Sequence, residues 1–177
     1  MNAATTSVEA RPGAARRSFA EIAEAELDAV YRYLVYLVGD RSLAEDLAAE
    51  TFEKAFRAWR RFDAGRARPR TWLCSIARNV ALDWLRAEER RRRREETYSR
   101  REDTTAEPTF AEGLSEPLER ALHELSAGER EVLALWIVLE FDGPTAARVL
   151  GISTTACSTR LSRALKRLEE RMDDVDG

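Results

Sequence analysis

Long hydrophobic runs are missing from this sequence. The longest, near Tyr33–Val38 and Ala134–Leu139, are far too short to span a bilayer, so no membrane insertion is expected. The N-terminus has no apolar core of the kind a signal peptide needs. Cysteine is scarce: Cys74 and Cys157 stand far apart and outside any CxxC spacing, which excludes a disulfide framework and a cysteine-based zinc site. Reduced thiols fit a cytoplasmic address, and both read as small buried hydrophobes. The single histidine, His123, has no motif around it. Phosphate loop, metal cluster and nucleophile signature are all absent, and the acidic residues follow helical charge patterns rather than gathering in a pocket. Neither catalysis nor a cofactor nor a metal is therefore expected. No strand signal and no internal repeat are visible.

What is present is charge, and it is unevenly distributed. Hydrophobic residues make up 44% and charged residues 34% of 177 residues, the balance of a soluble globular chain with room for two small domains. The net charge of −3 argues weakly against nucleic acid as a partner, but it hides a separation. Arg86–Arg94 holds six Arg and two Glu, whereas residues 95–117 hold seven acids and two Arg. Local charge selects partners better than the sum does.

Periodicity predicts an all-α chain. Residues 1–17, with Pro12 and Gly13, read as a disordered tail. From Phe19, the apolar residues Ile22, Leu27, Val30, Leu34, Leu37 and Val38 recur at helical steps until Gly39-Asp40. Ser42 and Glu45 have the spacing of a capping box for a second helix, with Leu43, Leu47, Phe52, Phe56 and Trp59 as its apolar face. Gly65 and Pro69 mark a basic loop over 63–70, after which Thr71 is expected to cap a third helix. Leu73, Ile76, Ala77, Val80 and Trp84 form the buried stripe of that helix, which continues solvated into the arginine run. Residues 95–117, with Pro108, Gly113 and Pro117, lack any sustained period and read as a flexible acidic linker. Leu118, Leu122 and Leu125 then suggest a short helix, and Ser126 with Glu129 a further capping box. Val132, Leu133, Leu135, Trp136 and Leu139 follow as core. Asp142-Gly-Pro restarts the chain with Pro144 in a first turn. The last helix is expected over about Thr154–Arg171.

Two stretches carry chemistry. Thr145–Leu168 reads as a helix-turn-helix: Ala146, Ala147, Val149 and Leu150 on a short helix, Gly151 at the tight turn, and Ile152 in the angle between helices. On the second helix, Cys157, Leu161, Ala164 and Leu168 face inward. Ser158, Thr159, Ser162, Arg163 and Lys166 face outward, flanked by Arg160 and Arg167. Small hydroxyl residues can approach base edges, and basic residues can hold phosphates. An ordinary helical hairpin with a charged face has the same pattern. In the N-terminal block, Arg66, Arg68, Arg70, Arg78 and Arg86 combine with Trp72 and Trp84, and Asn79 and Asp83 lie four apart. Such groups can read an unstacked base and track a single strand. Core packing of the two tryptophans and a solvated arginine-rich helix end are the plainer alternatives.

Three quoted stretches together resemble the extracytoplasmic-function group of the sigma-70 family. They are Ala44-Glu-Asp-Leu-Ala-Ala-Glu-Thr-Phe52, Arg70-Thr-Trp-Leu-Cys-Ser-Ile-Ala-Arg-Asn-Val-Ala-Leu-Asp-Trp-Leu-Arg86, and Leu125–Leu133 with Leu150–Leu168. The resemblance covers about 19–94 and 118–171. It departs from the family pattern at Ala49, Pro69, Thr145, Ala146 and Ser158.

The resemblance implies a transcription initiation factor in which region 2, at 18–94, is a three-helix bundle. Region 4, at 118–172, would be the helix-turn-helix, with the linker at 95–117 and a C-terminal tail at 173–177. The implied partners are bacterial core RNA polymerase, through its β′ clamp helices and β flap, promoter DNA, and an anti-sigma factor. Asp46, Leu47, Glu50 and Phe52 would meet the polymerase, with Leu47 and Phe52 also serving as core. Arg66, Arg68, Arg70, Arg78, Asn79, Asp83 and Arg86 would take the −10 non-template strand. Ser158, Thr159, Arg160, Ser162, Arg163 and Lys166 would take the −35 duplex. The alternatives are a helix-turn-helix regulator that acts without being a polymerase subunit, an enzyme, and a helical adaptor.

Overall fold

The computed structural model describes residues 18–96, 110 and 114–176. The expected tail at 1–17 and most of the expected linker lie outside the described residues. All regular structure among the described residues is helical, in two units. The first holds α1 (Phe19–Val38), α2 (Arg41–Ala58) with a 3-10 turn Trp59–Arg61, and α3 (Pro69–Glu96). The second holds α4 (Glu116–Glu124), α5 (Ala127–Leu133) running into a π-type turn Ala134–Val138, α6 (Gly143–Leu150) and α7 (Thr154–Asp176).

Local chemistry sets the boundaries. Ser18 and Glu21 form a full capping box that opens α1, and Gly39 closes it at φ 72°, where a side chain would be strained. The cap of α2 is Asp40, whose carboxylate accepts from the Leu43 N–H at 2.9 Å, not the expected Ser42. Asp40 has the extended backbone an N-cap needs, and Ser42 already lies inside the first turn. Likewise α3 starts at Pro69 rather than being capped by Thr71: the Trp72 N–H already bonds the Arg68 carbonyl, and proline is preset for the first helical turn. Ser115 caps α4, and Pro117 stands in that helix's first turn. Ser126 with Glu129 form the expected box at α5, and Asp142 caps α6. Helix α7 runs on to Asp176, beyond the Arg171 expected.

The three helices of the first unit bury Val30, Tyr33, Leu34, Leu37, Ala44, Leu47, Leu73, Cys74 and Ala77 between them. The second unit buries Val132, Leu135, Ala146, Leu150, Cys157 and Ala164. Three residues expected on apolar stripes are instead exposed: Leu27 at 53%, Phe56 at 64% and Trp84 at 36%. Leu27 lines a groove with Ala48, Ala49 and Phe52 of α2, and the Phe56 ring lies 5.3 Å from that of Phe19, so both are touched by a neighbouring helix without being covered. The units are not separate. Helix α5 packs on α1, and α6 packs on α3, so that one hydrophobic cluster runs through both. Phe110, deep in the expected linker, is buried against the rings of Tyr36 (5.8 Å) and His123 (4.6 Å).

Candidate functional site

Three surfaces gather the residues singled out from the sequence. The first is the recognition face of the helix-turn-helix. Gly151, at φ 66°, turns the chain between α6 and α7, and Ser153 caps α7 by accepting from the Ala156 N–H at 3.2 Å. Cys157 and Ala164 are fully buried below, so Ser158, Thr159, Ser162, Arg163 and Lys166 stand exposed on the other side. The hydroxyls of Ser158 and Thr159 donate back to the carbonyls of Thr154 (3.1 Å) and Thr155 (3.0 Å), which leaves their lone pairs outward as acceptors. Arg160 is half-buried; its guanidinium lies over Gly128 at the start of α5. Arg167 is tied across to Glu129 at 3.0 Å and Arg171 to Glu124 at 2.8 Å, while Lys166 pairs loosely with Glu170 at 3.6 Å. Burial pushes the Glu129 carboxyl up. The two hydrogen bonds from Ser126 and the Arg167 charge outweigh this and hold it below the usual carboxylate range.

The second surface lies along α3 and the loop before it. Arg66 and Arg68 are exposed on the loop, where Asp63 accepts from the Gly65 N–H at 2.8 Å. Asn79, Asp83 and Arg86 are exposed on α3, with Asp83 and Arg86 paired at 3.2 Å. Two of the predicted residues are not free. Arg70 is held by Glu26 of α1 at 2.6 Å. Arg78 turns away from Asn79 and into the contact between the units, where its Nε donates to Glu131 at 2.7 Å. Trp72 packs in a tile of rings, 4.9 Å from Phe62 and 6.0 Å from Trp59, and serves as partial core.

The third surface is an apolar groove between α1 and α2, lined by Leu27, Tyr31, Ala48, Ala49 and Phe52, with Asp28 and Glu45 at its rim. Asp46 and Glu50 are exposed on α2, and Glu50 pairs with Lys54 at 2.8 Å. Leu47 is core at 2% exposure and supports the helix from below rather than facing a partner. Leu27 and Tyr31 belong to the groove, although periodicity places Leu27 on the core stripe of α1 and gives Tyr31 no role. A leucine at the margin of its stripe was the available signal.

Burial keeps both thiols shielded: Cys74 and Cys157 are fully buried, and desolvation pushes the Cys74 thiol up to about 12. Among the described residues, no group of three or more His, Cys, Asp and Glu is placed to hold a metal, and no helix is long and apolar enough to cross a membrane.

Residues 22–91 match the model of Sigma-70 region 2, and residues 115–168 match that of Sigma-70, region 4. The ECF RNA polymerase sigma factor SigM of Bacillus subtilis (strain 168) is 30% identical over 151 residues, 84% of this chain and 91% of that protein. The ECF RNA polymerase sigma factor SigC of Mycobacterium tuberculosis is 34% identical over 152 residues, 84% of this chain and 80% of that protein. Among solved structures, the sigma factor RpoE in complex with the anti-sigma factor NepR from Bartonella quintana aligns with a TM-score of 0.75 at 27% identity. That alignment covers 88% of this chain and 96% of RpoE. With both regions matched in order and relatives of this identity aligned along most of their length, the chain belongs to the extracytoplasmic-function sigma factors of the sigma-70 family.

Proposed function

We propose a division of labour for this sigma factor in which each of the three surfaces has one partner. The α1–α2 groove, with Asp46, Glu50 and Phe52 beside it, docks on the β′ clamp helices of core RNA polymerase. Its apolar floor with an acidic rim is suited to a protein partner. The 63–68 loop, Asn79 and the arginines Arg66, Arg68, Arg78 and Arg86 receive the −10 non-template strand. Capturing a flipped base there must offset a few kcal/mol of unstacking. Helix α7 enters the −35 major groove, with Ser158, Thr159 and Ser162 toward base edges and Arg163 and Lys166 toward phosphates. The second unit would also meet the β flap. Residues 18–94 act as region 2, 118–172 as region 4, 95–117 as the linker, and 1–17 and 173–177 as tails.

One observation carries this reading. Within 157–168 of α7 the fully buried residues, Cys157 and Ala164, are small and apolar, and Ser158, Thr159, Ser162, Arg163 and Lys166 stand exposed on the opposite side, behind a glycine turn. A chain of this kind works by binding, in the cytoplasm, without catalysing a reaction. The RpoE neighbour is held by an anti-sigma factor, and a partner of that kind is proposed here as well. A regulator that acts without joining polymerase is not favoured, because the match spans region 2 as well as region 4.

The test is reconstitution. Purified chain and bacterial core polymerase are combined on a promoter library, and transcripts are mapped. Start sites that depend on the chain, about ten base pairs downstream of a shared motif, are the expected result. Binding to library DNA by the chain alone, with no effect on polymerase, would overturn it.

A further inference from the structure

The contact between the units is built around a buried acid. Glu131 of α5 is 2% exposed, in a helix whose neighbours Val132 and Leu133 are core. Its Oε1 accepts from the Tyr33 hydroxyl of α1 at 2.8 Å and from Arg78 Nε of α3 at 2.7 Å, partners 98 and 53 residues away in sequence. Beside it, Arg130 donates from Nε to the Tyr36 carbonyl of α1 at 3.1 Å and from Nη1 to its own unit's Leu125 carbonyl at 2.6 Å. A buried ion pair is weak evidence for stability, because desolvation of both charges offsets their attraction. Its best-attested use is to select one arrangement over another. Tyr33 is fully buried, and its hydroxyl pKa is raised by that burial and by the Glu131 carboxylate, so it remains a proton donor to the acid.

The closed arrangement is incompatible with the proposed task. The centres of elements named −35 and −10 lie about 25 base pairs, or roughly 85 Å, apart at 3.4 Å per base pair. A compact chain of this length is only about 40 Å across. The units must therefore part before both elements are held. Parting releases Arg78, which Glu131 of the other unit occupies.

We propose that Glu131 is a latch: its carboxylate occupies Arg78 in place of a nucleic-acid phosphate and keeps the chain closed, so that −10 strand binding is coupled to separation of the two units. The proposal rests on the assignment of Arg78 to the −10 strand. Carboxylate and phosphate both accept charge-assisted bonds from a guanidinium, so one anion can replace the other. The apparent dissociation constant of a site is its intrinsic value divided by the open fraction. A variant that raises the open fraction tenfold therefore binds about tenfold more tightly while most chains remain closed.

The test uses the full chain with dyes on Glu53→Cys of α2 and Glu169→Cys of α7, both exposed, whereas the native thiols are buried and unreactive. Energy transfer between the dyes reports separation. Fluorescence anisotropy of a random-sequence single-stranded 20-mer DNA reports strand binding. Glu131→Gln, which keeps the side-chain shape, and Tyr33→Phe, which removes a single hydroxyl, should each lower energy transfer at unchanged helicity. Both should tighten 20-mer binding by about tenfold. In the Glu131→Gln background, Arg78→Ala should keep the low energy transfer and abolish the gain in binding. Unchanged energy transfer in both single variants overturns the latch and leaves the −10 assignment standing. Lower transfer with a binding gain that survives Arg78→Ala overturns the role of Arg78, and with it the coupling.

Discussion

Arg163 is the residue on which the division between holding and reading DNA turns. It is exposed on α7, one turn past Thr159, and the ion pairs of this helix run instead from Lys166, Arg167 and Arg171. Its guanidinium has no ion pair among the described residues, so in the −35 groove it should neutralise one phosphate. Each neutralised phosphate contributes about −0.9 to the slope of log K against log salt. Arg163→Ala should therefore make the slope for promoter-duplex binding by the reconstituted holoenzyme shallower by about 0.9. Between 50 and 200 mM salt, a fourfold change, the gap between wild type and variant should then narrow by about 3.5-fold. Arg167→Ala provides the internal contrast. Arg167 is already paired with Glu129 at 3.0 Å, and that carboxylate is only 13% exposed, so its charge is largely answered within the protein. The slope should change by less than half as much as for Arg163→Ala. Fluorescence anisotropy on a labelled duplex at four salt concentrations measures both. Equal slope changes for the two variants would refute the reasoning, and so would an Arg163→Ala variant that reorders −35 sequences instead of weakening all of them.

Other perturbations separate the remaining roles. Thr159→Ala removes an outward acceptor and should cost about 1–3 kcal/mol on the preferred −35 sequence while sparing others, which a promoter-library ranking detects. Leu27→Glu places a charge in the apolar groove at a site already half exposed. It should weaken association with core polymerase at least tenfold, by surface-immobilised titration, with no loss of helicity by circular dichroism. Asn79→Ala should slow open-complex formation on duplex promoters, followed by permanganate reactivity, and a pre-melted template should restore part of the rate. Ser126→Ala removes the cap of α5 and should cost about 1 kcal/mol at neutral pH, lowering Tm by about 2–4 °C. Because Ser126 and Arg167 hold the Glu129 carboxyl below its usual range, the ionic part of that stability is present above the unfolded-state value and is lost as pH falls through the folded one. The gap between wild type and Ser126→Ala should therefore shrink in acid, in thermal melts taken from pH 7 down to pH 3.

Periodicity made most of the helices legible. A helix that packs on one side must repeat its apolar residues every three or four positions, and α1, α3 and α7 do so. Start signals read less well, since Ser42 and Thr71 have the right side chains but the neighbouring Asp40 and Pro69 have the right backbone. Stripe edges were harder still. Leu27 and Phe56 satisfy the period, yet whether another helix covers them depends on the packing of the whole bundle, so the α1–α2 groove is not outlined by the sequence of either helix alone.

The hardest feature to read was Glu131. A carboxylate four residues before Leu135 lies on the buried stripe of its own helix, which by itself predicts a penalty rather than a contact. Its burial is tolerated only because Tyr33 and Arg78 arrive from another unit, and nothing in the local sequence specifies them. The same physics explains why Arg78 and Asn79, adjacent in one motif, have different fates. Successive helix residues point about 100° apart, so Asn79 stays in solvent while Arg78 faces α5. Two adjacent residues thus place an amide in solvent and a charge in the grip of the other unit.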